Sequence, residues 1–100
     1  MSERIIRRVV IRGRVQGVGY RAFVEHMALM RSLNGWVRNR RDGSVEAVFA
    51  GPAAEVAAMI ESCRRGPGAA QVMAVEATAA GAELLDLRFS SDIFSVLPTS

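Results

Sequence analysis

Residues 14–21, Arg14-Val15-Gln16-Gly17-Val18-Gly19-Tyr20-Arg21 (RVQGVGYR), separate two hydrophobic rhythms. Before them, residues 5–12 read Ile-Ile-Arg-Arg-Val-Val-Ile-Arg, a β-branched run that predicts a strand. After them, Tyr20, Phe23, Val24, Met27 and Met30 recur at helical spacing and predict a helix over about residues 20–32. The quoted stretch therefore belongs to a strand-to-helix loop at 13–19, in which Gly17 and Gly19 are free to take positive φ.

Working outward, Asn34-Gly35 is expected to stop the first helix and Trp36 to Arg40 to form a strand. Asp42-Gly43 is a hairpin-turn signal, and Ser44 to Ala50 alternates with Val45, Ala47 and Phe49 on one face. Gly51-Pro52 suits a helix start with proline at the first helical position. Val56, Met59, Ile60 and Cys63 then form one stripe, and Gly66-Pro67-Gly68 ends that helix. Val72 to Thr78 reads as a strand, and Leu85, Leu87 and Phe89 alternate in a short last one. Ser91 to Ser100 has no assigned element, although Ile93, Phe94, Val96 and Leu97 are apolar enough to dock. The order β-α-β-β-α-β plus a short extra strand predicts an α+β, ferredoxin-like split β-α-β sandwich: an antiparallel sheet with two helices on one face. Many functions use this fold, so it decides none of them.

The chain has 100 residues, enough for one domain over 1–100, with its two ends the least defined parts. No run approaches the roughly 20 apolar residues of a membrane-spanning helix, and the N-terminus has no apolar h-region. With a single cysteine and no export signal, a cytoplasmic protein is expected. All 13 basic residues are arginine. Residues 1–41 carry ten arginines against Glu3 and Glu25, a net of +8, whereas residues 42–100 carry a net of −5. The basic half contains the glycine loop, which points to an anionic partner there.

A glycine-bearing loop entering a helix is a way to hold phosphate. Successive backbone N–H groups line a concavity, the helix N-terminus adds partial positive charge, and Arg21 offers a planar two-donor fork. Neither the Walker A loop nor the dinucleotide fingerprint fits, since there is no lysine and position 22 is alanine. By spacing alone, a tight turn followed by a solvated arginine is equally open. His26 reads as a solvated helix residue, Cys63 as core, and Trp36 as a packed strand residue rather than a ligand platform. Arg4, Arg7, Arg8, Arg38, Arg40 and Arg41 read as a solvated basic face that steers anions. No metal-ligand spacing is present.

Gly13-Arg14-Val15-Gln16-Gly17-Val18-Gly19-Tyr20-Arg21 resembles the N-terminal signature of the acylphosphatases. Gly35-Trp36-Val37-Arg38-Asn39, followed by Asp42-Gly43-Ser44-Val45-Glu46, resembles their second block at the usual separation. The resemblance covers roughly residues 4–90. It implies a small, monomeric, cytosolic, metal-independent enzyme, without cofactor, that hydrolyses the carboxyl–phosphate bond of acyl phosphates. It places the catalytic arginine at Arg21 and the catalytic asparagine at Asn39. The substrate-binding backbone cradle falls on Gln16, Gly17, Val18, Gly19, Tyr20 and Arg21. Arg40 stands where many relatives carry threonine.

The residues suit that chemistry. An acyl phosphate has a good leaving group, so holding the dianion and placing a water in line is the main task. Arg21 and the cradle supply donors, and the Asn39 amide can orient a water. Two other readings are a non-catalytic module binding a phosphometabolite anion and an RNA-binding module. The second lacks the paired sheet aromatics on which bases stack. The expected partner is thus a small acyl phosphate, not nucleic acid or membrane.

Overall fold

The structure, a computed structural model, describes residues 3–89 and 92–100; Met1, Ser2, Ser90 and Ser91 lie outside the described residues. β1 (Arg4–Arg14) carries the β-branched run and lies inside a five-stranded sheet of order β4-β1-β3-β2-β5. It pairs antiparallel with β3 (Val45–Pro52), from Arg4 opposite Pro52 to Ile11 opposite Val45. On its other side it pairs with β4 (Gln71–Ala79), with a register shift between Arg12 and Gly13. β2 (Asn34–Asn39) pairs antiparallel with β3, which sets Asn39 opposite Val45 at the end of the hairpin.

α1 (Tyr20–Met30) and α2 (Ala53–Arg65) cover one face. Strand alternation turns Val9, Ile11, Val37, Val45, Ala47 and Phe49 toward that face, where they close a core with Val24, Ala28, Val56, Met59 and Cys63. Cys63 is core, as its position on the helical stripe predicts. The opposite face has a smaller cluster of Trp36, Val48 and Leu97, flanked by Ile6, Leu84 and Leu85. Trp36 is fully buried there, and its Nε1 donates to the Leu84 carbonyl at 2.7 Å, so it packs as a strand residue.

Four expectations need correction. The sheet is mixed rather than antiparallel, because β5 (Phe94–Val96) runs parallel to β2. The expected last strand at Leu85, Leu87 and Phe89 does not form. Ala82–Leu85 is a short helix, α3, while Leu87 and Phe89 are about half exposed in irregular chain. Five alternating residues are a weak strand signal, and the free edge of β2 selects Phe94–Val96 instead. There Phe94 is buried and stacks on Phe49, with ring centroids 6.0 Å apart. Finally, α1 ends before Asn34-Gly35. Ser32 turns the chain at φ 57°, and Asn34 and Gly35 already belong to β2. At the second helix, Pro52 is the last residue of β3 and caps α2 rather than opening it.

Candidate active site

The loop between β1 and α1 is pinned by Val15, 1% exposed. Gly17 and Gly19 take φ of 73° and 79°. A Cβ at either position would meet nothing within 4 Å, so backbone conformation rather than crowding calls for glycine. Gly19 caps α1 in the left-handed region, with no side chain among the described residues bonded to the first-turn amides and no acidic residue in that turn. Those N–H groups and the positive end of the helix are left for an anion.

The loop opens onto a cleft of about 310 Å³ lined by Val15, Gly17, Gly19, Tyr20, Arg21, Ala22, Glu25, Asn39 and Val96. Arg21, in the first turn of α1, makes no ion pair among the described residues. Asn39 enters from β2, on the helix-covered face, because it follows Val37 by two. Its Oδ1 is buried and has no hydrogen-bond partner among the described residues. A buried acceptor left open costs about 1–3 kcal/mol unless something fills it, and a bound water supplies the missing donor.

Of the six cradle residues predicted from sequence, Gly17, Gly19, Tyr20 and Arg21 line the cleft, whereas Gln16 and Val18 do not. The Gln16 side chain turns to the β2–β3 hairpin, where its amide donates to the carbonyls of Arg40 and Ser44, both at 2.8 Å. The Tyr20 ring is buried, and its hydroxyl donates to the Cys63 carbonyl at 2.7 Å. Burial pushes that phenol well above its ordinary pKa, so it packs α1 on α2 rather than titrating. Burial likewise pushes the Cys63 thiol up to about 12.

Asp42 shapes the hairpin. Its Oδ1 accepts from the Ser44 hydroxyl at 2.6 Å and from the Ser44 N–H at 2.9 Å, which lowers its pKa to about 2. Arg40 lies outside the cleft with its guanidinium 4.0 Å from Asp42. His26 is exposed on α1, as expected. The reading of a uniformly solvated arginine face is corrected for Arg8 and Arg38. These clasp the buried Glu46 at 2.6 and 2.8 Å, and Arg38 also lies over Trp36, 4.7 Å from the ring centroid.

Sequence reading missed Val15, Ala22, Glu25 and Val96 in the cleft wall. Glu25 had a signal, since position i+4 from Arg21 shares its helix face. Val96 had none, because pairing of the tail with β2 is non-local.

A ferredoxin-like sandwich with a left-handed glycine loop, an unpaired arginine and an open asparagine acceptor around one cleft defines an anion-handling site. The family described as Acylphosphatase matches residues 7–90. An acylphosphatase of Rhodopseudomonas palustris (strain BisB18) is 58% identical over 95 residues, covering 95% of this chain and 96% of its own. The crystal structure of acylphosphatase from Bacillus subtilis matches with a TM-score of 0.80 at 33% identity, over 93% of this chain and 98% of that one. That of an acylphosphatase from Coxiella burnetii gives 0.81 at 31%, over 94% and 93%. The chain belongs to the acylphosphatase family.

Proposed function

We propose that this chain hydrolyses the carboxyl–phosphate bond of acyl phosphates, with Arg21 and the backbone amides of residues 16–21 holding the phosphate and Asn39 orienting the attacking water. The observation that carries the reading is the unpartnered Asn39 Oδ1 in the cleft that also carries Arg21. A water donating one O–H to Oδ1 has a lone pair free to face phosphorus. As that oxygen bonds to phosphorus, the bond from phosphorus to the acyl oxygen breaks, and the electron pair leaves on the carboxylate. The water's proton passes to a phosphate oxygen. The products are carboxylate and inorganic phosphate.

In a loose transition state, charge spreads over the phosphoryl oxygens, where the cradle and the Arg21 fork are placed to bind it. An arginine side chain is no base, and an asparagine amide does not titrate. The proton step therefore belongs to the substrate, and the rate follows the ionisation of bound phosphate rather than of a side chain. A rate limb that disappears when one enzyme side chain is replaced overturns that assignment.

The reading takes residues 1–100 as one domain, working without cofactor or metal, as a monomer in the cytoplasm on a free small molecule. Burial of Tyr20, Trp36 and Phe49 supports a partner other than nucleic acid, since stacking on bases needs exposed rings. No helix of the described residues is long and apolar enough to cross a membrane. Light scattering at working concentration checks the monomer.

The deciding experiment is benzoate release from benzoyl phosphate, with a chelator present, by the wild type, Arg21→Ala and Asn39→Ala. Turnover that falls about 10²-fold or more in each variant is the expected result, the size typical of losing one transition-state donor. Phosphate binding without turnover by folded wild type makes the chain an anion-binding module instead.

A further inference from the structure

The cleft wall carries two chemically different sets of residues. One is the glycine loop with Arg21. The other is Ala22, Glu25 and Val96, the last contributed by β5 from the far end of the chain. Glu25 follows Arg21 by one helical turn, roughly 6 Å further along α1. Among the described residues it is the one acid in the cleft wall, and it makes no ion pair. It is half-buried, so its carboxylate is less screened than a fully solvated one.

This charge orients any phosphate that enters. A dianion is attracted to the amides and Arg21 and repelled by Glu25, so the phosphoryl group seats on the loop. The remainder of the substrate, the acyl group, is left to face Ala22, Val96 and Glu25. We infer that Glu25 sets acyl-group specificity: it disfavours acyl phosphates carrying a second carboxylate and favours those carrying an ammonium or N–H donor, with Ala22 and Val96 contacting the intervening carbons. Discrimination here comes from a repulsive element as much as an attractive one. The inference rests on the hydrolase reading above, whose loop and asparagine it does not alter.

The experiment compares wild type and Glu25→Gln on three substrates: benzoyl phosphate (neutral), succinyl phosphate (second carboxylate) and β-alanyl phosphate (ammonium). The readout is kcat/KM for each charged substrate divided by that for benzoyl phosphate, which cancels any general loss of activity. The glutamine is nearly isosteric and sits on a helix surface, so the fold is retained. In the variant the succinyl ratio is expected to rise about tenfold and the β-alanyl ratio to fall several-fold, both effects shrinking as salt is raised. Shifts of opposite sign are not produced by a structural defect. Ratios unchanged within about twofold, with turnover intact, overturn the role of Glu25 and leave the hydrolase reading standing. A wild type that turns over none of the three overturns that reading and this inference with it.

Discussion

The side-chain amide of Gln16 donates to the carbonyl of Arg40, 2.8 Å away and one residue beyond Asn39. With its second bond to Ser44, it ties the anion loop to the hairpin that carries the asparagine. Neither partner is near the other in sequence, and the bridge adds to the packing of α1 on β2 through the core.

Gln16→Ala should therefore loosen the site more than it harms the fold. Removing two hydrogen bonds is expected to cost about 1–3 kcal/mol in urea unfolding. kcat for benzoyl phosphate is expected to fall at least tenfold, because a water displaced by an ångström is out of line. A variant with wild-type kcat shows that the bridge does not position Asn39.

The tail forms a second support. Leu97 N–H donates to the Val37 carbonyl at 2.9 Å, Ser100 N–H to the Asn39 carbonyl at 3.0 Å, and Arg41 N–H to the Ser100 carbonyl at 3.0 Å. Deleting residues 98–100 leaves the Asn39 strand end without this partner. Expected outcomes are a melting temperature lower by a few degrees and a several-fold lower kcat, with KM changed much less. A loss confined to KM contradicts the positioning role.

Gly17→Ala and Gly19→Ala each place a side chain at positive φ, at a cost of about 1–2 kcal/mol. There is space for the methyl group, so the proteins should fold. The affected property is the shape of the cradle, read as weaker competitive inhibition by inorganic phosphate. Unchanged inhibition in both variants removes this loop from phosphate binding.

Glu46 makes stability pH-dependent. Burial alone would raise its carboxyl pKa, but the hydrogen bonds from Arg8 and Arg38 together outweigh that and hold it below the ordinary 4.5. The unfolded chain then binds more protons, so the contribution is complete above about 4.5 and is lost as pH falls through the folded value. Asp42, held at about 2, adds to the same acid limb, so the measurement is a difference between proteins. Glu46→Gln should lower unfolding free energy at pH 7 by about 1–3 kcal/mol, the gap from wild type narrowing as pH drops toward 3. A gap constant with pH rules this out.

Cys63 is fully buried with its thiol raised to about 12, so iodoacetamide should label native protein only as fast as the fold opens. Labelling at the rate of a free thiol at pH 8 contradicts the packing of α2.

Most of the architecture is local and was legible. The β-branched run of β1, the helical stripes at Val24 and Val56, and Asp42-Gly43 each declare an element through their own spacing. Arg21 and the two glycines were legible too, because a strand, a flexible turn and a helix N-terminus follow one another along the chain. The sequence alone thus determined the order of elements from β1 to β4, the basic half and the residues of the loop. Tertiary structure decided what meets them. A five-residue alternation at Leu85–Phe89 was outcompeted by the free edge of β2, which took Phe94–Val96 in parallel and brought Val96 to the cleft. The Gln16 side chain turned to the hairpin, and Arg8 and Arg38 closed on Glu46. Except for Arg38 and Glu46, which face each other across the β2–β3 hairpin, these pairings join residues distant in sequence. Spacing reveals which face a side chain occupies, whereas its partner is fixed only when the sheet closes and every buried donor and acceptor must be satisfied.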